Sequence, residues 1–401
     1  MHVFISTATT KGCSDMNQDD QDQAPYLAES GRRDLLIRGT RSLAALAAGG
    51  LVGARVAQAQ PIAVRDGTPS VDRLSITVVT DSYHHAFERA ISRGALTVSR
   101  TGFSVAPGKR PDRTLQNEWG LSLHVESSRR NEVRRVLLDF GYTPATLLNN
   151  LALLGIDPAK LDALALSHGH VDHFGGLAGF LAEFRGRLRE RLPLYLGGED
   201  CFCERDLVIP GNAGYFGAID RQSIRDAGLV VTFAPAPSLV ADHGVSTGRV
   251  ELQSFERVLA PTRMTIALTD AQGCTPDDGG SRRAGDVVAD DFGHEIAMAY
   301  QVGQRGLVVM TSCGHRGVVN SVRAAMKATG VDKLLAVLGG FHLAPSPHDY
   351  QLATAKALLD LNPEFVVPMH CSGEHFIRIV SDQMGERFVR SSTGSTFTFA
   401  A

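Results

Sequence analysis

The chain has 401 residues, of which 43% are hydrophobic and 21% charged, and a formal net charge of −3. This is an ordinary globular composition, sufficient for one large domain or two small ones. The near-neutral balance gives no reason to expect nucleic acid or an anionic membrane as the main partner.

The first sixty residues do not read as fold. Residues 1–30 are polar and aperiodic. Gly31-Arg32-Arg33-Asp34-Leu35 follows, then a Gly/Ala-rich apolar stretch from Leu43 to Val56, then Ala57-Gln58-Ala59. Paired arginines, a short apolar core and a small-x-small exit match a twin-arginine export signal cleaved near Ala59. The apolar run is interrupted by Arg55 and is short for a bilayer span, which needs roughly 20 residues, so no stable membrane span is expected after cleavage. The expected organisation is a leader over 1–59, a linker over 60–73 and a domain over 74–401. The mature protein is expected in the periplasm, or secreted, after export in the folded state.

Leu74–Asp81 alternates and is β-branched, which predicts a strand. Ala86–Gln116 is basic and Gly/Pro-punctuated and reads as an insertion or lid. Strands are predicted from Glu118 to Val125 and from Arg135 to Asp139, and a helix from Pro144 to Leu154. Leu164–Leu166 is an apolar strand that ends in Ser167-His168-Gly169-His170-Val171-Asp172-His173, and a helical segment runs from Leu177 to Leu188. Further strands are expected over Leu192–Leu196, Leu229–Phe233 and Arg249–Leu252, with a loop-rich stretch from Gly197 to Ala227. Asp277–Arg283 reads as a flexible surface loop. Gly293–Val302 and Leu307–Cys313 form an expected hairpin. A helix over Asn320–Thr329, a strand over Leu334–Leu343, a helix over Tyr350–Leu361 and a strand ending at His370 complete the order. The six cysteines show no zinc-ribbon spacing. Cys201 and Cys203 are too close to bridge each other easily, and Cys313 and Cys371 read as site residues.

The cluster after Leu166 carries most of the chemistry. His168 and His170 are two apart, so in extended chain they point the same way and can grip one cation. Asp172 and His173 fall at the turn into the helix, where they can face a second. Imidazole and carboxylate are donors that zinc, manganese or iron accept. The pattern resembles the signature of the metallo-β-lactamase superfamily, and the likeness runs from about Leu74 to the C-terminus. It implies an α/β fold, an αββα sandwich of two mixed sheets with helices on both outer faces and ligands on loops at one edge. It also implies two divalent metal ions, zinc first, with manganese or iron as alternatives.

The resemblance extends to other positions. Asp139, in an Asp-x-Gly turn, is expected to orient a ligand histidine. His294, before the hairpin, and His315, after it, compete for the first metal, and His315 is preferred. Cys313 stands where relatives place a bridging aspartate, and a thiolate can replace a carboxylate on zinc. His370 matches the last ligand position of the second metal. Glu118-Trp119-Gly120-Leu121-Ser122, Ser312-Cys313-Gly314-His315 and Gly339-Gly340-Phe341-His342-Leu343 resemble motifs of the branch containing dihydropterin ribofuranosylaminobenzene phosphate synthase-like proteins. Trp119 departs from the acidic residue and histidine found there. His342 is a candidate substrate or acid/base residue.

The chemistry expected from this set is a metal-generated hydroxide attacking an ester, lactone, phosphoester or related bond of a small molecule, with Asp172 orienting the nucleophile. No Gly-x-Ser-x-Gly elbow and no phosphate-cradling Gly-rich loop is present. The alternatives are a synthase-like transferase, against which export argues, and a non-catalytic metal- or ligand-binding protein. Oligomeric state is not readable from the chain.

Overall fold

A computed structural model describes residues 56–60, 67–102, 108, 110–209, 211, 213–269, 272–276 and 282–401. The arginine pair and apolar core of the expected leader, and most of the Asp277–Arg283 loop, lie outside the described residues. Among the described residues no helix is long and apolar enough to cross a membrane.

Two large mixed sheets form the frame. The first has ten strands in the order Val56–Gln58, Val230–Phe233, Pro193–Leu196, Ala163–Ala165, Glu132–Leu138, Ser122–Arg129, Arg73–Thr80, Ser395–Ala400, Leu96–Arg100 and Ile91–Arg93. The second is built on Ser238–Val240, Gly244–Ser246, Met298–Val302, Gly306–Thr311, Leu334–Gly340 and Phe365–Met369, and Ser70–Val71 also pairs with Met298–Val302. Period-2 alternation explains the layering. Ile76, Val78, Leu123, Val125, Val136 and Leu138 face Met298, Tyr300, Val308, Met310, Leu338 and Val367 in the core between the sheets. Their sequence neighbours Val79, Leu137, Leu164 and Leu166 point the other way. There they pack with Leu147 and Leu151 of the Pro144–Leu153 helix and Phe180 and Leu181 of the Leu177–Glu183 helix. On the second sheet's outer face, Val309 and Val337 meet Val318, Val322, Ala355 and Phe376 from the helices Val318–Thr329, His348–Asp360 and Glu374–Met384. This is the expected αββα sandwich.

Several elements differ from the sequence reading. Part of the presumed lid is sheet: Ile91–Arg93 and Leu96–Arg100 form a hairpin whose second strand pairs with Ser395–Ala400. Pairing also begins upstream of Leu74, since Val56–Gln58 runs parallel to Val230–Phe233. Arg249–Leu252 makes no strand. Its Arg249 N–H donates to Pro235 O and its Val250 carbonyl accepts from the Arg316 guanidinium, so no ladder is left to form. The hairpin strand starts at Met298, which leaves His294 in the preceding turn. The stretch 197–227 holds strands Glu204–Leu207 and Gly214–Gly217 and a helix Arg221–Asp226. Both strands join Thr262–Ile266 and Asp286–Ala289 in a separate four-stranded antiparallel sheet.

A disulfide joins Cys203 to Cys274 across a sequence separation of 71. No spacing rule links these two cysteines, and only the fold brings them together. By closing a long loop it restricts the unfolded chain. A Cys203→Ser/Cys274→Ser chain is expected to lose about 2–5 kcal/mol of stability, read as a lower urea midpoint with an otherwise similar circular dichroism spectrum.

Candidate metal centre

The strand Ala163–Ala165 delivers the ligand turn, and Val171–Phe174 forms one helical turn that carries Asp172 and His173. Gly169 lies so close to its surroundings that a Cβ there would stand 2.4 Å from Arg205 Nη1 and 2.5 Å from Cys201 O. Only glycine permits this approach. His168, Asp172, His173, Cys313, His315 and His370 are all buried.

Potential ligand atoms converge in three groups, each within 4.8 Å: His168, Cys313 and His315; Asp172, His173, Cys313 and His370; and Cys313, His342 and Cys371. Cys313 is common to all three. His170 adjoins the first group, its ring centroid 4.8 Å from those of both His168 and His315. His294 does not join. Its Nε2 accepts from the Gly169 N–H at 3.2 Å and faces Arg205 Nη2 at 3.1 Å. Of the two histidines that competed for the first metal, His315 is the one at the cluster, with Nε2 3.2 Å from His168 Nε2. His294 is instead a support for the ligand turn.

The outer nitrogens of His168, His173 and His370 are tied down. His173 Nδ1 is 2.7 Å from Asp139 Oδ2, which leaves Nε2 facing Cys313 Sγ at 3.1 Å. His168 Nδ1 is 2.9 Å from Ser167 Oγ, and that hydroxyl donates to Asp139 Oδ2 at 2.7 Å. His370 Nδ1 is 3.3 Å from Ser82 Oγ, with Nε2 3.3 Å from Asp172 Oδ2. One carboxylate, Asp139, therefore orients two imidazoles, where the sequence suggested one. Such partners fix tautomer and ring direction and raise ligand basicity. Asp139→Ala is expected to weaken metal affinity by roughly 10–100-fold, measured by competition with a chromophoric chelator.

Backbone strain marks the same places. Asp139, His342 and His370 have φ of 61°, 45° and 50°, a region that costs a non-glycine residue roughly 1–3 kcal/mol and persists where the surroundings impose it. For His370 the imposing group is Asp81. Its buried carboxylate accepts the His370 N–H at 2.9 Å and also bonds Ser82 N and Ser391 Oγ. Sequence reading treated Asp81 only as a strand end. Its place before Ser82 in the strand-end turn was the available signal.

Electrostatics suit a cation. Burial, with neighbouring imidazoles, holds His168 and His315 well below the ordinary histidine value, and burial takes His170 to about 3. All three are thus neutral at pH 7, as metal ligands must be. Asp172 is ionised. Burial opposes its charge, but His173, His370 and His170 outweigh that and hold it well below the usual carboxylate range. His370 is raised to about 9 despite its burial, by Cys371 and Asp172. Neutral His168, His170 and His315, an ionised Asp172 and a cysteine aimed at common points fit divalent cations, and a cation in the second group would displace the His370 proton.

Aromatic rings wall the site. Trp119, 54% exposed, lies 5.1 Å from the His370 ring, and Phe216 of the separate sheet lies 5.4 Å from the His170 ring. The guanidiniums of Arg205 and Arg316 are both engaged internally, Arg205 with Asp290 and main-chain carbonyls, Arg316 with Val250 and Asp291 carbonyls. Cys371, expected as a site residue, lies with its Sγ 3.2 Å from Cys313 Sγ, a pairing the sequence did not show; Arg205 looked like an ordinary loop charge and was missed.

The profile of the Metallo-beta-lactamase superfamily matches residues 130–200, the stretch that contains Asp139 and the ligand turn. A 7,8-dihydropterin-6-methyl-4-(beta-D-ribofuranosyl)-aminobenzene-5'-phosphate synthase of Methanocaldococcus jannaschii is 26% identical over 287 residues, 71% of this chain and 90% of the relative. The exodeoxyribonuclease WalJ of Streptococcus pneumoniae is 24% identical over 242 residues, 58% of this chain and 81% of the relative. A crystal structure of a metal-dependent hydrolase of the beta-lactamase superfamily superposes with a TM-score of 0.57 at 22% identity, covering 80% of this chain and 98% of that one. That likeness speaks to the fold. Residues 130–200 thus carry the sequence pattern of the Metallo-beta-lactamase superfamily, and the sandwich around them has the fold of a solved hydrolase of that superfamily.

Proposed function

We propose that the chain is a metal-dependent hydrolase of a small-molecule ester or lactone. The observation that carries this reading is the arrangement of His168, His173 and His370, each with Nδ1 held by a neighbour and Nε2 turned inward toward Asp172, Cys313 or His315. His168, His170 and His315 would hold one cation, and Asp172, His173 and His370 a second, with Cys313 between them. Divalent cations in such a pair supply Lewis acidity and bring the ionisation of water close to neutral pH.

The chain's own groups do the rest. Ionised Asp172 is placed to orient a water molecule by accepting its hydrogen bond, since its carboxylate is the one charged acceptor in the second ligand group. Trp119 and Phe216 exclude bulk water from the mouth and offer apolar surface to an acyl chain. The internal pairing of Arg205 and Arg316 removes both from phosphate recognition, which favours an uncharged ester or lactone over a phosphorylated substrate.

The 26% identity to the synthase favours a second reading, a synthase-like transferase. A panel of chromogenic ester, lactone and phosphodiester substrates, assayed beside a pterin precursor, separates the two. Turnover of the ester or lactone is expected; turnover of the pterin precursor alone would sink the hydrolase reading. A chelator is expected to abolish activity and lower the melting temperature, because bound ions stabilise the folded state by mass action. Zinc, manganese or iron should restore both.

We also propose that residues 1–59 are a twin-arginine leader, whose cleavage would remove the edge strand Val56–Gln58 from the first sheet, and that the mature protein works in the periplasm or outside the cell. The Cys203–Cys274 disulfide supports this, since such bonds persist in oxidising compartments. N-terminal sequencing of the protein recovered from the periplasm, beginning just after Ala59, is the expected result. Cytoplasmic retention of the intact chain would refute it.

A further inference from the structure

We propose that Cys371 and His342, together with Cys313, form a third, sulfur-rich cation position beside the two sites described above, one that takes a thiophilic divalent ion such as zinc or cadmium. The proposal rests on the preceding reading only in sharing Cys313.

The three ligand atoms lie within 4.8 Å of one another. Cys313 Sγ and Cys371 Sγ are 3.2 Å apart. Two sulfurs bound tetrahedrally at about 2.3 Å from zinc stand roughly 3.8 Å apart, so an ion needs the pair to open by only about half an ångström. The His342 ring nitrogens are buried from solvent, and the Cys371 thiol is their one polar side-chain neighbour in this group besides Cys313. A ring nitrogen left unsatisfied in the interior is costly unless something binds it. The ring lies 4.1 Å from that of His315.

The surroundings are shaped for this grouping. A Cβ on Gly340 would stand 2.7 Å from Cys371 Sγ and 2.2 Å from Ser312 O, so glycine there leaves the space the thiol fills. The His342 N–H donates to Cys371 Sγ at 3.3 Å, the type of second contact that orients a ligand sulfur. That bond needs the left-handed backbone at His342, whose φ is 45°. A cavity of about 10 Å³, lined by Gly314, His315, Phe341, His342, Glu256 and Tyr350, adjoins the imidazole. It has room for about one water beside the imidazole. Binding displaces the thiol protons to solvent, as thiolate coordination requires.

The chemistry separates this position from its neighbours. The first group offers two imidazoles and one sulfur and the second two imidazoles, a carboxylate and one sulfur, whereas this one offers two sulfurs and one nitrogen, a softer set. Cys313 bridges it to the second site.

The test is ion stoichiometry by elemental analysis of the zinc-loaded full chain, with cobalt-substituted protein read by its sulfur-to-cobalt absorption. Wild type is expected to hold one ion per chain more than Cys371→Ser and one more than His342→Asn, and cobalt in either variant to lose part of that absorption. Asn tolerates the left-handed backbone, so His342→Asn keeps the question answerable if Cys371→Ser folds poorly. Equal ion counts and unchanged absorption in wild type and variants overturn the proposal. So does loss of every ion in both variants, which would mean Cys371 and His342 serve the other sites. Failure of the hydrolase reading looks different: His168→Ala and Asp172→Ala would then lose no ion, whatever Cys371→Ser does.

Discussion

Asp172→Ala is expected to lower kcat on a chromogenic ester or lactone by about 10²–10⁴, the usual scale for removing a positioned acid–base group. The same variant should bind one cation fewer per chain, because Asp172 is the carboxylate of the second ligand group. Binding of the first ion should persist, since His168, Cys313 and His315 form their group without it. Steady-state kinetics with parallel metal analysis checks both halves. A variant that keeps wild-type kcat would remove Asp172 from the chemistry.

Breaking the Arg205–Asp290 pair is expected to cost about 3–5 kcal/mol, the range for stranding one member of a buried ion pair. Both side chains are fully buried, and Arg205 Nε donates to Asp290 Oδ2 at 2.6 Å. The guanidinium also donates to the carbonyls of Asp200 and Cys203 at 2.7 Å each, and it packs against Gly169 of the ligand turn. Asp290→Asn should therefore shift the urea midpoint strongly and also loosen the metal site. The acid side follows from the same pair. Burial opposes the Asp290 charge, but Arg205 outweighs it and holds the carboxyl below its ordinary value. A depressed carboxylate stabilises the fold above the unfolded-state pKa of about 3.9. That stability is lost as pH falls through the folded value. Wild type should consequently lose stability in acid faster than Asp290→Asn does. Parallel acid-unfolding curves for the two proteins would count against the pair.

What the chain disclosed beforehand follows sequence distance. His168, His170, Asp172 and His173 stand within six positions after an apolar strand, so spacing alone could assemble them. His370 and Cys313 were readable because each lies just past a buried strand. Asp139 was readable as a strand-end turn, although its hold on Ser167 as well as His173 depends on the fold. The αββα layering was expected from the family resemblance, and the order of predicted strands and helices agreed with it. Groups defined only by long-range contact were not readable. Cys371 meets Cys313 across 58 positions, Asp81 meets His370 across 289, and Cys203 meets Cys274 across 71. Arg205 carries no local mark of burial, because its partners come from the distant Asp290 and from main-chain carbonyls. Arg249–Leu252 has strand composition but no neighbouring strand, and a strand is a property of a pair.

The central claim is that imidazoles, a carboxylate and a cysteine from separate strand ends hold cations at one place. Anomalous diffraction from crystals of the zinc-loaded chain, recorded on either side of the zinc absorption edge, tests it most directly. The account predicts one peak bounded by His168, His170 and His315 and another bounded by Asp172, His173 and His370, with Cys313 beside both. Zinc peaks confined to other parts of the molecule, or none in a protein whose solution contains excess zinc, would contradict it.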